Sequence, residues 1–328
     1  MALIALLVLA AGLYLAHVYT RSVMLPAPVV VVIEHGASSA RISEQLKQAG
    51  VIRDAWAFEA LARLTGSASH LSSGYYRFDG ATTIPEVVAR MRRGDVMRFS
   101  VTIPEGLRTD EVLALLAKQT GVPLHAWQKA LAGLLPKPAW EGHLLPETYD
   151  YEKPVDVRAM LARMIDAQKQ VLKATVASEP GSDTAKQVLI IASIIEKETH
   201  LDKERPLIAA VIRNRLARGM PLQMDPTVIY GIWATEGSFS GNLHKADMER
   251  DTPWNTYTRR GLPPTPICNP GKASIEAAAN PADVDYLYFV ADGTGGHAFA
   301  ATMAEHERNV QRWIRIYRQE NHEGEASK

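Results

Sequence analysis

The chain has 328 residues, of which 47% are apolar and 22% are charged. This is enough apolar material for a large core in two or three globular units, and it excludes a disordered or fibrous chain. Lys plus Arg and Asp plus Glu both total 36, so the chain lacks the positive field with which nucleic-acid-binding proteins attract their partner. The single cysteine, Cys268, excludes an internal disulfide.

The N-terminal segment is predicted to be a membrane anchor. Residues 2–20 contain no Asp, Glu, Lys or Arg, and a run of about that length can cross a bilayer as a helix. A cleavable signal peptide is the alternative, since small residues such as Ala10 and Gly12 are present, but no basic residue precedes the apolar run. The nearest basic residue, Arg21, follows the segment and leaves the orientation open.

Two stretches about seventy residues apart share a strand–turn–helix pattern. In the first, residues 29–33 precede an amphipathic helix, and in the second, residues 101–103 lead through Pro104-Glu105-Gly106 into another. The matching positions are Gly36, Ile42 and Leu46 in the first stretch and Gly106, Val112 and Leu116 in the second. The pattern predicts small α+β modules, which could bind carbohydrate or serve only as a packing platform.

Capping residues mark the helices outside this repeat. A strand is predicted over residues 74–78, followed by a helix over residues 84–91 that ends before Gly94. A further helix is predicted from residue 156 to about residue 176. Ser182 is a good N-cap for the helix that follows it.

That last helix carries the clearest candidate for chemistry. From Val188 the chain is apolar on every side until Glu196 and Glu198, which indicates a buried helix ending in two carboxylates. Glu198 continues the stripe of Val188, Ile191 and Ile195, whereas Glu196 lies about 200° around the helix from Glu198, so the two cannot share one site. A carboxyl at the edge of an apolar surface has a raised pKa, which suits a general acid. The alternative is that both are solvated or ion-paired.

Polar and aromatic residues set among Gly and Pro follow this helix, in the pattern of ligand-contacting loops on a rigid scaffold, at residues 222–231, 255–257, 261–264, 292–293 and 295–299. Amide, hydroxyl and aromatic side chains together are what sugar recognition needs. About half of them are expected to have structural roles instead, for example in turns or caps. The candidate substrate-binding residues are Gln223, Asp225, Tyr230, Asn255, Thr256, Tyr257, His297 and Phe299.

Other kinds of chemistry find little support. The histidines are dispersed and no zinc or nucleotide-binding motif is present, so we expect no metal and no cofactor. Ser193 lies inside the apolar helix without a nucleophile-elbow motif. A membrane-attached peptidase would therefore lack both a nucleophile and a metal set.

Four sequence blocks in order resemble the signature of the MltG/YceG endolytic murein transglycosylases. They are A-S-I-I-E-K-E-T (192–199), L-Q-M-D-P-T-V-I-Y-G (222–231), N-T-Y-T-R-R-G-L-P-P (255–264) and L-Y-F-V-A-D-G-T-G-G-H-A-F (287–299). Upstream, I-P-E-G (103–106) and E-G-H-L-L-P-E-T-Y (141–149) extend the resemblance to nearly everything after the predicted anchor. The family's block at this place usually resembles E-G-x-L-F-P-D-T-Y, and Leu145 and Glu147 depart from it conservatively.

The resemblance implies a single-pass protein of the bacterial inner membrane whose bulk lies in the periplasm. The expected fold is α+β: an N-terminal transmembrane helix (residues 1–21), small LysM-like α+β modules (residues 29–100 and 101–150) and a mixed α+β catalytic domain (residues 151–328). The expected activity is a lytic transglycosylase, a lyase that cleaves between N-acetylmuramic acid and N-acetylglucosamine. Glycan strands, the inner membrane and the peptidoglycan synthases of elongation or division are the expected partners.

The resemblance also assigns the catalytic acid to the E-K-E-T motif. Glu198-Thr199 is similar to the Glu-Ser pair that ends the catalytic helix of other lytic transglycosylases, so Glu198 is the first choice and Glu196 the second. One carboxyl would protonate the glycosidic oxygen and then accept the proton of the muramyl C6 hydroxyl, which leaves a 1,6-anhydro end. With Asp225 as a second carboxylate, the enzyme would instead be a hydrolase that uses water. A non-catalytic peptidoglycan-binding division scaffold is the remaining alternative.

Overall fold

A computed structural model describes residues 12–14, 16–137, 140–176, 178, 179, 181–239 and 241–326, with side chains as far as residue 319. The chain divides into two compact units, one of residues 1–100 and 150–156 and the other of residues 101–149 and 157–328. The predicted anchor, residues 1–21, lies for the most part outside the described residues. Among the helices of the described part, none combines the length and the apolar character that crossing a bilayer requires.

The first unit is a small α+β structure. Its two-stranded sheet pairs β2 (Val29–Ile33) with β3 (Gly74–Phe78) in antiparallel register, with Val29 opposite Phe78 and Ile33 opposite Gly74. Val31 and Ile33 point into the core because side chains alternate along a strand. The other elements are β1 (Val23–Met24), α1 (Ser39–Gln48), α2 (Ala55–Leu64), β4 (Ala81–Thr82) and α3 (Ile84–Arg93).

Helix α3 shows how closely local sequence sets the ends of these elements. Thr83 accepts a hydrogen bond from Glu86 N while the Glu86 carboxylate accepts one from Thr83 N, which forms a capping box. Gly94 ends the helix in the left-handed conformation at φ 65°. The predicted helix is confirmed, with two further residues at its C-terminal end.

The second unit is mostly helical. Strands β5 (Phe99–Thr102) and β6 (Thr148–Tyr151) carry the chain out of and back into the first unit. Its helices are α4 (Thr109–Thr120), α5 (Leu124–Ala132), α6 (Val157–Thr175), α7 (Asp183–Glu198), α8 (Arg205–Ala217), α9 (Asp225–Glu236), α10 (Lys245–Met248), α11 (Lys272–Ala279) and α12 (Met303–Ala326). A hairpin of β7 (Tyr288–Ala291) and β8 (His297–Ala300) completes it. The mixed α+β class predicted from the sequence is confirmed.

The repeated strand–turn–helix pattern is present in the backbone. Gly36 and Gly106 both turn the chain at φ 77° between a strand and a helix, a conformation that glycine adopts without steric cost. The helix positions that follow, Ile42 and Leu46 in α1 and Val112 and Leu116 in α4, are all buried. The two copies lie in different units, one in each.

One local expectation was wrong. Residues 222–231 were expected to form a ligand-contacting loop, but from Asp225 onward they form the first half of α9. Pro226 lies in the first turn of this helix, where its fixed φ is favourable and its missing N–H costs nothing. The Asp-Pro pair therefore begins a helix, and only residues 222–224 remain as a loop before it.

Candidate active site

Helix α7 is the central helix of the second unit and carries both candidate glutamates. Ser182 caps its N-terminus by accepting a hydrogen bond from Ala185 N, as the sequence predicted. The helix packs against α8, α9 and α11, so it is buried on several sides. Ser193 donates to Ile190 O and accepts from Ile267 N (3.0 Å), which makes it a packing residue.

Glu196 has a partner in the protein. Its carboxylate is buried and accepts a hydrogen bond from Gly271 N (2.9 Å) at the start of α11. A carboxylate in this position satisfies a free N–H and complements the positive end of the helix dipole. Glu196 thereby ties α7 to α11, and it also acts on Glu105, whose pKa is raised by burial and by the charge of Glu196.

Glu198 has very different surroundings. It is partly buried at the C-terminal end of α7, and no other described group makes a hydrogen bond to its carboxyl. Burial raises its pKa to about 8; the negative charge of Asp225 raises it too, while the positive charge of Arg215 opposes the shift. A carboxyl with this pKa holds its proton at neutral pH and can donate it, which is the requirement for a general acid.

Two charged groups from other helices face Glu198. Asp225, at the first position of α9, accepts a hydrogen bond from the Tyr257 hydroxyl (2.5 Å). Arg215 of α8 is buried and donates from Nε to Leu287 O (2.6 Å) and from Nη1 to Leu222 O (2.6 Å). The structure therefore brings together Glu198, Asp225 and Tyr257, which the sequence proposed, with Arg215, which it did not.

The loop before α9 is held in place from the 255–264 block. Gln223 is exposed and adopts a left-handed φ of 50°, a strained conformation for a residue other than glycine. Its N–H donates to Thr256 O (3.1 Å), and the Thr256 hydroxyl accepts from Met224 N (3.0 Å). Thr256 is buried, and its two hydrogen bonds hold the loop before Asp225 in this conformation.

Two other predicted residues lie inside the fold. Asn255 is fully buried and donates to Met248 O (3.0 Å) and Arg250 O (2.6 Å). The Tyr230 hydroxyl donates to Glu141 Oε2 (3.2 Å). The structure gives Asn255 and Tyr230 partners within the protein, and their contact with a substrate stays a prediction.

The last two predicted residues lie on the β7–β8 hairpin. His297 contacts Glu204 through both its backbone N–H and its ring. Phe299 packs on Phe289 and Tyr286, with ring centroids 5.9 and 5.6 Å away. The hairpin is linked to the surroundings of Glu198 at the end opposite its turn. There, Arg215 donates a hydrogen bond to the carbonyl of Leu287, the residue before β7.

Among the described residues, several buried charged residues were not individual candidates from the sequence, Arg215, Glu141 and Glu204 among them. Arg215 follows Ile208, Val211 and Ile212 at helical spacing, so its place on an apolar stripe was a usable signal. Glu141 was noticed only as part of a polar cluster; burial raises its pKa to about 7, although Thr109 and Tyr230 donate to it. Glu204 lies in a run of charged residues that reads as a solvated surface, so no local signal marked it.

The model of the YceG-like family matches residues 31–312, most of the chain. The chain belongs to the YceG-like family. Among proteins similar to it is one named endolytic murein transglycosylase from Bacillus subtilis (strain 168), 29% identical over 306 residues that cover 86% of this chain and 84% of the relative. Proteins of the same name from Streptococcus pneumoniae strains D39 and R6 are 28% identical over 354 residues, covering 94% of this chain but 63% of each relative.

A solved structure supports the fold of this YceG-like chain. The crystal structure of a YceG-like protein from Listeria monocytogenes superposes with a TM-score of 0.53 at 29% identity. The match covers 86% of this chain and 99% of the other. The family resemblance that the four sequence blocks indicated is thereby confirmed.

Proposed function

We propose that this protein is an endolytic peptidoglycan lytic transglycosylase with Glu198 as its catalytic acid. The observation that carries the proposal is a carboxyl whose pKa of about 8 keeps it protonated at neutral pH, at the end of a buried helix in a YceG-like chain. Relatives that align with most of the chain are named endolytic murein transglycosylases, and their substrate is the natural one to test first.

In the proposed reaction, Glu198 donates its proton to the glycosidic oxygen between N-acetylmuramic acid and N-acetylglucosamine. The C–O bond breaks and an oxocarbenium-like state forms on the muramyl ring. The Glu198 carboxylate, stabilised by the positive charge of Arg215, then accepts the proton of the muramyl C6 hydroxyl as that oxygen bonds to C1. The products are a 1,6-anhydro end and a free N-acetylglucosamine hydroxyl, and Glu198 is protonated again.

A hydrolase is the second candidate, and Asp225 is the observation that favours it. Its negative charge acts on Glu198, so two carboxyls from different helices face one region. In a hydrolase, Asp225 would activate water or stabilise the cation. Against this role, Asp225 already accepts the hydrogen bond of Tyr257. The reaction product separates the candidates, because hydrolysis leaves a reducing end and no anhydro ring.

The test is mass spectrometry of the muropeptides that the full chain, purified in detergent, releases from peptidoglycan. Glu198→Gln removes the acid with little change of shape, and Glu196→Gln is the matched control on the same helix. Anhydro-muramyl products that disappear in Glu198→Gln and persist in Glu196→Gln support the proposal. Reducing-end products would assign a hydrolase, and the opposite behaviour of the two variants would assign the acid to Glu196. A non-catalytic scaffold would release nothing.

The cellular setting is part of the same proposal and rests on the family resemblance. We propose that residues 1–21 anchor the chain in the inner membrane, with the catalytic domain (residues 151–328) in the periplasm near peptidoglycan synthases. The modules of residues 29–100 and 101–150 would hold glycan strands. Protease added to intact spheroplasts would degrade a periplasmic catalytic domain and spare a cytoplasmic one.

A further inference from the structure

A compact hydrogen-bonded group lies directly after the proposed acid. Thr199, the C-cap of α7, donates its hydroxyl hydrogen to Glu204 Oε2 (3.0 Å). The same oxygen is 2.7 Å from His297 Nδ1, and Glu204 Oε1 accepts from His297 N (2.8 Å). The glutamate and the histidine are 93 residues apart in the chain, so only the fold joins them.

The pattern of donors determines which ring nitrogen of His297 carries the hydrogen. Leu201 N already donates to the Thr199 hydroxyl oxygen (3.0 Å), so the hydroxyl hydrogen is available for Glu204. Both oxygens of Glu204 therefore act as acceptors, as they do in an ionised carboxylate. Although burial alone would raise the pKa of Glu204, the hydrogen bonds from His297 and Thr199 lower it. The ring must then donate from Nδ1, which leaves a lone pair on Nε2 when the imidazole is neutral.

The surroundings hold this ring in one orientation. Gly296 lies so close to Glu204 that a Cβ at this position would be 2.7 Å from Glu204 Oε1. The ring of Phe289 meets the imidazole edge-on, with centroids 5.2 Å apart. The side chain of Glu204 is 5% exposed and that of His297 is 20% exposed. Since Nδ1 faces the buried carboxylate of Glu204, the exposed surface of the His297 side chain belongs to its other atoms.

His297 is also linked to the surroundings of Glu198 at two places. Through Glu204 it is joined to Thr199, the residue that follows Glu198. Through its hairpin it is joined to Arg215, which contacts Leu287 O and acts on the charge of Glu198. Both links are contacts within the second unit, and neither needs a bound ligand.

We propose that Glu204 is a positioning residue that holds His297 as its Nδ1–H tautomer, so that Nε2 accepts a hydrogen bond from a hydroxyl group of the glycan. A sugar hydroxyl is the fitting partner because it is a donor without charge, whereas a carboxylate of a stem peptide would need Nε2 to donate. This assignment rests on the proposed function, since it takes the substrate to be a glycan strand near Glu198.

The first test is the tautomer itself, measured by two-bond ¹H–¹⁵N correlation spectra of histidine-labelled full chain. His297→Gln identifies the signal by its loss. The wild type is expected to show Nδ1–H. In Glu204→Gln, an NH₂ at the Oε2 position would donate to Nδ1 and to Thr199, so the ring is expected to switch to Nε2–H. An Nε2–H tautomer in the wild type would overturn the proposal whatever the activity.

The second test is activity on soluble, uncross-linked glycan strands. Glu204→Gln is expected to lower kcat/KM about tenfold to a hundredfold, the effect of losing one well-placed hydrogen bond. The surface variant Glu307→Gln serves as the matched control and keeps its activity. His297→Asn retains a donor toward Glu204 but lacks Nε2. Its kcat/KM is expected to fall as far as that of Glu204→Gln. His297→Gln, whose amide reaches the Nε2 position, is expected to recover part of the loss.

These results separate the two proposals. If Glu204→Gln switches the tautomer while kcat/KM stays within about twofold of the wild type, the role of Glu204 is refuted and that of Glu198 stands. If Glu198→Gln retains activity, the proposed acid fails, while the tautomer spectra and the His297 variants still decide the role of Glu204. Equal losses of kcat/KM in His297→Asn and His297→Gln would show that activity does not depend on a hydrogen-bond acceptor at the Nε2 position.

Discussion

Replacing Glu198 by Gln is expected to make the protein more stable at high pH while abolishing its activity. The pKa of Glu198 is raised from 4.5 to about 8, because burial and Asp225 disfavour the charge. A carboxyl with a raised pKa in the folded state holds its proton more tightly than in the unfolded chain. The stability of the wild type is therefore complete below about pH 4.5 and declines as the pH rises toward 8.

The size of this loss of stability follows from the pKa shift of Glu198. Each pKa unit corresponds to about 1.4 kcal/mol, so a rise from 4.5 to about 8 costs the wild type up to about 5 kcal/mol above pH 8. The amide that Glu198→Gln introduces has no charge and avoids this cost. The variant is thus expected to unfold at higher urea concentration than the wild type at pH 9, and at nearly the same concentration at pH 4.5.

The assay is urea unfolding at pH values from 4.5 to 9, followed by tryptophan fluorescence, to which Trp56 of the first unit and the other five tryptophans, all in the second unit, contribute. Activity on glycan strands is measured in parallel and is expected to fall at least a hundredfold in Glu198→Gln. Glu196→Gln is the control for activity, since its amide oxygen can still accept from Gly271 N. A difference between wild type and Glu198→Gln that does not grow with pH would refute the reasoning, because Glu198 would then be ionised at neutral pH.

The pH dependence of kcat/KM should respond to the two charges that act on Glu198. Asp225→Asn removes the negative charge that raises the pKa of Glu198, so the alkaline limb of the profile is expected to move to lower pH; an unmoved limb would show that Asp225 does not act on the acid. Arg215→Met removes the positive charge and is expected to move the same limb to higher pH. It also leaves Leu222 O and Leu287 O without their donor, at a cost of about 1–3 kcal/mol for each buried carbonyl, which urea unfolding would detect.

Much of the local structure could be predicted because it depends on neighbours in sequence. The apolar run from Val188, the cap at Ser182 and the stop at Gly94 each determine a helix or its end within a few residues. Glu196 and Glu198 could be distinguished for the same reason, since helix geometry alone puts them on different faces. Asp225-Pro226 was the exception, because this pair of residues is compatible with a turn and with the start of a helix.

What the sequence could not supply is the identity of partners that lie far apart in the chain. The pattern on α8 places Arg215 on an apolar stripe, but only the tertiary structure shows that it holds Leu287 O, 72 residues away. Likewise the charged run around Glu204 predicts a solvated surface, and the fold instead buries Glu204 against Thr199 and His297. The sequence by itself determined the helix that carries Glu198 and the family to which the chain belongs. The charges and hydrogen bonds around that helix were decided only by tertiary structure, because burial and Coulomb interactions depend on distance in space.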